Sequence, residues 1–338
     1  MSLPKAEVRR LFKRRVTRIF LVLTLLGLAI FPVAFAFTSQ KTGPEQVRAA
    51  EATAEANYQQ ALVSHRQMVA DCEAAKAAGA TDTDMRYGPD CGKPFEPTRE
   101  MFSTEYYLPF QFNFRQEFPV SVMVFSAILA LVAFVIGASF VGAEWHSGGM
   151  MNLLLWRPRR IPVLLTKLGV VLGSMLGLTA VLGALWTVAF WVIGRYDGVL
   201  GGMTAGAWQS FALTGARGAT LVLLATVVGF CLASFGRHTA MALGVGIGAI
   251  VISEIGLRIA LELVQVRFGE RYIISTYVTS WLNKEMTIYD YRSCDFVMGS
   301  CTPAEMTLTW QDSSVVFGVG LVVVLVAALW SIRRRDIT

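Results

Sequence analysis

The stretch GAEWHSGGMMNLLLWRPRR, residues 142–160, lies between two long apolar segments and ends in a cluster of arginines. It joins the acidic residue Glu144 to the pair Gly148-Gly149, an apolar run from Met150 to Trp156 and the basic sequence 157–160. A short apolar helix outside the spans is typical of a surface that docks into a groove of another protein. The alternative is that this apolar run lies in the inner leaflet of the membrane.

The composition around this stretch is that of a polytopic membrane protein. Of the 338 residues 54% are apolar and 16% are charged, and the mean hydropathy is +0.52. An α-helix needs about 20 apolar residues to cross a bilayer. We therefore predict an all-α protein whose six transmembrane helices cover residues 19–38, 119–142, 162–194, 212–235, 239–261 and 313–332.

Basic residues cluster in three of the segments that flank the predicted spans. Such clusters mark the cytoplasmic side of a membrane protein. They are Lys5, Arg9, Arg10, Lys13, Arg14, Arg15 and Arg18, then Arg157, Arg159 and Arg160, then Arg333, Arg334 and Arg335. Both termini are thus expected inside. Residues 1–18 are predicted to form either an amphipathic helix or a plain basic anchor. Residues 143–161 are predicted to be a cytoplasmic segment, and residues 333–338 a cytoplasmic tail. Residues 39–118 and 262–312 are expected outside. We expect the first apolar run to be retained as a span and not cleaved as a signal peptide.

Four of the five cysteines fall in the two segments expected outside, where thiols can oxidise. We predict the disulfides Cys72–Cys91 and Cys294–Cys301, although four thiols allow three pairings. Cys231 lies in a span. No metal site is expected.

The first outer segment is predicted to hold a solvent-facing helix from Pro44 to about Ala78, followed by a Gly- and Pro-rich loop over 79–97. The aromatic residues of 102–118 are expected to form an interfacial belt or to pack under an outer cap. The alternative is one wall of a substrate exit route.

The sequence carries no catalytic motif. It contains no P-loop pattern G-x-x-x-x-G-K-[ST], so the chain does not hydrolyse ATP by itself, and no H-E-x-x-H motif of a zinc protease. Gly137-Ala138-Ser139 has the form of a serine-protease motif, but we assign these small residues to helix packing.

Charged residues inside the predicted spans have two interpretations. Glu254, Arg258 and Glu262 recur at a spacing of four in the fifth span. They form either an ion-pair ladder that satisfies itself beside the outer water or the polar face of a translocation route between two subunits. Arg217 in the fourth span is most simply an interfacial residue that extends towards water.

The stretch from Glu144 to Arg160 resembles the cytoplasmic signature of ABC-2 type transporter permeases, E-(aromatic)-x-x-G-T-x-x-x-L-L-x-x-x-P-x-x-R. The matching residues are Glu144, Trp145, Gly148, Leu153, Leu154 and Pro158. Gly149 stands where Thr is usual, Arg160 is one place early, and Lys167 also resembles the family. With the basic N-terminal helix and six spans, the resemblance covers nearly the whole chain.

The resemblance implies a type V exporter-like architecture with an extracytoplasmic insertion between helices 1 and 2. It implies that this stretch is a coupling helix that docks into an ABC ATPase, and that ATP and Mg are bound by that partner and not by this chain. The partners that it implies are two ATPase subunits and a second permease subunit, which is identical or related to this chain. It also implies a bacterial cell membrane as the location and no nucleic-acid partner. The expected docking residues are Glu144, Trp145, Gly148, Met150, Leu153, Leu154, Trp156 and Pro158.

Among these, Glu144 is expected to pair with a basic residue of the ATPase or to cap a helix, and the large apolar side chains to anchor the docking. The expected function is export of an amphipathic substrate such as an antibiotic, a peptide or a lipid. The competing interpretation is a non-transporting membrane sensor or assembly scaffold that binds a ligand through its outer domain.

Overall fold

The computed structural model describes residues 3–80, 83–156, 160–293 and 302–334. Within them, six helices are long and apolar enough to cross a membrane, which confirms the predicted number of spans. They are α2 (Arg15–Thr38), α5 (Phe114–His146), α7 (Arg160–Tyr196), α8 (Ala205–Gly236), the continuous helix Thr239–Leu263 and α12 (Trp310–Arg334). The fifth of these consists of α9 (Thr239–Val251), a π-helical turn (Ile252–Leu257) and α10 (Arg258–Leu263).

The chain divides into two compact units. The span unit comprises Met1–Val33, Phe114–Trp191 and Gly201–Thr338. The α3 unit, which contains helix α3 (Pro44–Ala77), comprises Ala34–Asn113 and Val192–Leu200.

Small residues allow α5 and α8 to pack closely in the middle of the span unit. A Cβ on Gly137 would lie 2.5 Å from the Thr226 carbonyl oxygen, and one on Gly229 would collide with the Phe134 carbonyl oxygen. Contact between helix backbones at small residues is the usual way in which membrane helices associate, because lipid tails are as apolar as the side chains they would replace. Ala133, Ile136 and other residues of α5 are consequently buried.

Shorter elements lie at the two ends of the spans. Helix α1 (Leu3–Lys13) and helix α6 (Gly149–Trp156) lie at one end, which we call the α6 end. Helix α11 (Ile274–Asn283) and a hairpin of β1 (Glu285–Asp290) with β2 (Ala304–Thr309) lie at the opposite end. The two strands are antiparallel, with Glu285 opposite Thr309. The sequence interpretation missed this hairpin, so the structure is mostly but not wholly helical.

The α3 unit is built on the long helix α3 (Pro44–Ala77), over the range where a helix is predicted. The disulfide Cys72–Cys91 ties a 3-10 turn (Pro89–Phe95) back to α3, as predicted, and Lys93 forms a 2.7 Å ion pair with Glu73 beside it. The predicted loop also contains the short helix α4 (Thr83–Tyr87). The other predicted pair, Cys294 with Cys301, lies outside the described residues.

Candidate functional site

The α5–α6 corner is a tight turn at the α6 end of the spans. Helix α5 ends at His146, and Gly148 has a φ of +71°, a left-handed conformation that favours glycine. The Gly148 amide donates to the Trp145 carbonyl oxygen at 3.3 Å, and the Asn152 amide donates to the Gly148 carbonyl oxygen at 3.1 Å. Gly148 therefore reverses the chain and starts α6.

Helix α6 has one anchored residue and one strongly exposed residue. Met150 is 1% exposed, whereas Leu155 is 78% exposed. The backbones of Leu153, Leu154 and Trp156 belong to this helix, but their side chains lie outside the described residues, as does Pro158. The structure thus describes one exposed apolar face on α6, carried by Leu155 and, less exposed, Met151.

Four charged side chains meet beside this corner, and we call Glu7, Arg14, Glu144 and Lys167 the charge cluster. The Lys167 Nζ atom lies 2.7 Å from Glu144 Oε2 and 3.0 Å from Glu7 Oε2. Arg14 Nη2 lies 2.7 Å from Glu144 Oε1, so both oxygens of Glu144 are paired within the chain. Arg14 also donates to the carbonyl oxygens of Ser139 and Phe140, at 3.1 and 2.9 Å.

The charge cluster balances itself. It contains two carboxylates and two cations, and the side chains of Glu7 and Lys167 are wholly buried. Buried charges are tolerated only when they are paired with good geometry, and removing one partner leaves an uncompensated charge. The cluster therefore fixes α1, the α1–α2 junction, the end of α5 and the start of α7 against one another.

This geometry changes the role expected for Glu144. The sequence predicts that Glu144 pairs with a basic residue of another protein or caps a helix. In the structure, both carboxylate oxygens of Glu144 contact cations of the same chain. Sequence reasoning missed Glu7 and Arg14 as members of the site. The available signal was that Glu7 is the one acidic residue among the first 18 positions, in a strongly basic segment.

The loop between α8 and α9 also lies against the corner. The Arg237 guanidinium lies 5.1 Å from the centre of the Trp145 ring, and the rings of His146 and His238 are 5.0 Å apart. A Cβ on Gly142 would lie 2.6 Å from the Thr239 amide nitrogen. Trp145 is consequently a partly buried residue of the corner, with one face covered by Arg237.

The second predicted set, Glu254, Arg258 and Glu262, is separated by the structure. Glu254 accepts hydrogen bonds from the Ser275 amide at 2.8 Å and from the Ser275 hydroxyl at 2.7 Å. Ser253 accepts a hydrogen bond from the Ile274 amide, so the π-helical turn holds the N-terminus of α11. Glu254 thus serves as an acceptor for α11 and not as a member of a ladder.

Arg258 and Glu262 instead line a cleft of about 310 Å³ together with Asp290 and Arg292. Across the described part of the fifth span no ion pair joins Glu254, Arg258 and Glu262, so the ladder interpretation is wrong. Arg267 donates a hydrogen bond to Asp290 at 3.1 Å, which holds the pKa of that carboxyl group below its ordinary value.

A family model described as an ABC-2 family transporter protein matches residues 1–337. The chain belongs to the ABC-2 family. No curated protein and no solved structure matches it.

Membership of the ABC-2 family gives the general role of the chain. It is the membrane permease component of an ABC-2 type transporter, a non-catalytic subunit, and ABC-2 permeases function with ABC ATPase subunits. In the part of the chain that the structure describes, no group of three or more His, Cys, Asp or Glu residues could hold a metal ion.

Proposed function

We propose that this ABC-2 permease is the membrane half of an exporter and that its ATPase docks on residues 144–160. The observation that carries the proposal is the charge cluster, because it connects the α5–α6 corner to α1, to the α1–α2 junction and to α7. A force applied to α6 reaches the spans through paired charges and not through a flexible loop.

The docking surface is supported by the exposure of α6. Leu155 projects an apolar side chain 78% exposed, while Met150 on the same helix is buried and holds α6 in place. Apolar anchors that fill a partner's pocket contribute most of the binding energy of such interfaces. Leu153, Leu154 and Trp156 share this helix and complete the proposed anchor set, and Gly148 sets the bend at its start.

The charge cluster would transmit the movement of the ATPase. Glu144 belongs to the corner, Lys167 to span α7, and Glu7 to α1. Because both carboxylates share Lys167, a displacement of the corner has to move α7 and α1 with it or break a buried ion pair. In this proposal Glu144 couples the docking site to the spans and does not itself contact the ATPase.

We propose that the α6 end is cytoplasmic and that the chain lies in a bacterial cell membrane with both termini inside. The support is the concentration of Lys and Arg in residues 1–18, 157–160 and 333–335. The α3 unit, with its disulfide, then lies outside, where disulfides persist.

An amphipathic substrate is supported by two features of the span unit. A cavity of about 410 Å³ between α5, α7 and α8 is lined by aromatic and small residues, among them Phe118, Phe125, Trp186, Phe211, Gly183 and Gly215. The cleft beside Arg258 and Glu262 is charged. Apolar pockets with a few polar groups are typical of small-molecule sites. Arg258 and Glu262 form the polar face that we propose for the translocation route.

The proposed complex contains two ATPases, which bind ATP and Mg, and a second permease subunit that is identical or related to this chain. No P-loop motif occurs in the sequence, so the energy has to come from the partner.

The test is a matched pair of surface substitutions. Leu155→Ser removes an apolar side chain that is 78% exposed on α6, and Leu263→Ser removes one equally exposed at the opposite end of the spans. We expect Leu155→Ser to lower recovery of the ATPase with the solubilised permease, and to lower ATP hydrolysis of the reconstituted complex, by about tenfold or more. Leu263→Ser should leave both unchanged.

Equal ATPase recovery and ATP hydrolysis for the two variants would refute docking on α6. A wild-type complex that shows no ATP hydrolysis in proteoliposomes, with any amphiphile added, would instead favour the sensor or scaffold function.

A further inference from the structure

Arg217 is a cation within span α8 whose surroundings do not balance its charge. Its Nη1 atom is buried and has no hydrogen-bond acceptor in the described residues. The guanidinium group lies 5.8 Å from the centre of the Trp310 ring. The sequence interpretation was that Arg217 extends towards water, but its side chain is instead partly buried against this ring.

The contrast with Lys167 defines what Arg217 lacks. Lys167 is also buried in a span, and two carboxylates lie within 3.0 Å of it. No ion pair to Arg217 occurs in the parts of the chain that the structure describes. An ionisable residue in a membrane span is costly unless it is paired or hydrated, and a ring face compensates a cation only partly.

Two acidic residues on neighbouring elements, Glu254 and Asp312, are engaged elsewhere. Glu254 is bonded to Ser275, as described above. Asp312, on the same helix as Trp310, accepts hydrogen bonds from the amide and the hydroxyl of Thr309 at 3.0 and 2.8 Å. Glu254 therefore caps α11 and Asp312 caps the start of its own helix α12, and no carboxylate of the described residues pairs with Arg217.

Aromatic side chains surround the same position. The Trp281 indole donates a hydrogen bond to the Arg217 carbonyl oxygen at 3.0 Å. The ring of Trp281 lies 6.3 Å from that of Trp310 and 6.2 Å from that of Phe317. A cation against the Trp310 ring, with the ring of Trp281 next to it, matches a ligand with an acidic group on an apolar body.

We propose that Arg217 is an anion-binding residue that takes the phosphate or carboxylate group of an amphiphile, with Trp281 and Trp310 against the apolar part of the same molecule. The planar guanidinium presents paired N–H donors that fit either group. The amphiphile is a bilayer lipid or the transported molecule. In the second case the inference rests on the proposed function and narrows the substrate class to acidic amphiphiles.

The first experiment measures lipid retention and needs no ATPase. The purified permease is equilibrated with mixed micelles of phosphatidylglycerol and phosphatidylcholine, and bound lipid is counted by native mass spectrometry. Arg217→Gln should lower the retained phosphatidylglycerol by about tenfold, the size expected for one charge-assisted contact. Arg217→Lys should retain part of it. The matched control is Arg271→Gln, which removes an exposed arginine at the same end of the spans and should change nothing.

The second experiment uses the complex with its ATPase. Oleate and oleamide share one apolar chain and differ in charge, and their stimulation of ATP hydrolysis is compared in wild type and Arg217→Gln. Loss of phosphatidylglycerol retention alone identifies a lipid site. Loss of the preference for oleate alone identifies the transported molecule as the ligand.

The proposal is overturned if Arg217→Gln changes neither the retained phosphatidylglycerol nor the preference for oleate while its thermal unfolding stays that of a folded protein. If Arg217→Gln does not fold, Arg217→Lys provides the test. A site shaped for a guanidinium should bind less well with lysine, so full lipid retention together with an unchanged preference for oleate would overturn the proposal. A wild-type complex without ATP hydrolysis would refute the proposed function and leave the lipid experiment intact.

Discussion

The Lys167 ammonium group lies 2.7 Å from the Glu144 carboxylate, and this contact joins span α7 to the corner at which α5 turns into α6. The same ammonium reaches Glu7 of α1 at 3.0 Å. One side chain therefore ties together the three helices α1, α5 and α7.

Lys167→Met should destabilise the permease strongly. The substitution leaves two buried carboxylates, of which Glu7 keeps only the contact with Arg10 at 3.4 Å. Removing one partner of a buried ion pair typically costs about 3 to 5 kcal/mol. Thermal and denaturant unfolding of the solubilised permease measures the loss.

The double variant Lys167→Met with Glu7→Gln should recover part of that stability, because it removes the wholly buried carboxylate that has lost its ammonium partner. Lys93→Met is the control, since Lys93 belongs to an exposed pair with Glu73, and it should change the stability little. Equal losses for Lys167→Met and Lys93→Met would contradict the structural role of the cluster.

Gly142→Ala should destabilise the corner although alanine favours helices. A Cβ at this position would lie 2.5 Å from the Thr239 hydroxyl oxygen and 2.6 Å from its amide nitrogen, so α9 would have to move. Gly173→Ala is the matched control on span α7, because nothing lies within 4 Å of its added methyl group. Alanine in place of glycine inside a helix is worth about 1 kcal/mol. We expect a lower Tm for Gly142→Ala and an equal or higher Tm for Gly173→Ala; the reverse order would show that α5 and α9 do not pack in this way.

Glu254→Ala should loosen α11. It removes the acceptor of the Ser275 amide and hydroxyl, and a hydrogen bond to a charged group contributes about 1.5 to 3 kcal/mol. Hydrogen exchange of residues 274–283 should become about 10 to 100 times faster. Glu262→Ala changes an exposed residue of the same span and should leave exchange in α11 unaltered. An unchanged rate of hydrogen exchange in α11 of Glu254→Ala would show that Glu254 does not cap this helix.

Replacement of Cys72 and Cys91 by serine should weaken the α3 unit. The two residues are 19 positions apart, and a cross-link over such a loop contributes about 3 kcal/mol in the chain-entropy model. Limited proteolysis of residues 79–97 should therefore be faster in the double variant. Cys231→Ala, a change to a cysteine buried in a span, should keep the proteolysis rate of the wild type. A double variant as resistant as the wild type would show that the disulfide does not hold this loop.

The spans and the α5–α6 corner could be predicted because their signals are local. Apolar runs of span length need no partner to be recognised, and the pair Gly148-Gly149 marks a turn wherever it occurs. The charge cluster could not be predicted in the same way. Glu7 and Lys167 are 160 positions apart, and only the packing of α1 against α7 brings them together.

The ion-pair ladder of Glu254, Arg258 and Glu262 was wrongly predicted for a different reason. A spacing of four places residues on one face only in a regular α-helix, and residues 252–257 form a π-helical turn. Hydrogen bonding to α11 then takes Glu254 away from the other two residues. The β1–β2 hairpin was missed because its strands are short and stand between helical segments that dominate the apolar pattern.

The π-helical turn at Ile252–Leu257 also bears on how this span is compared with others. A π-turn holds one residue more than the α-helical turn it replaces, and each residue of an α-helix turns the chain by about 100°. A relative with a regular fifth span would need a one-residue gap at this position to align correctly. Deletion of the exposed Ile255 should therefore restore a regular α-helix and rotate Arg258 and Glu262 out of their cleft, while leaving the register of residues 239–251 as it is.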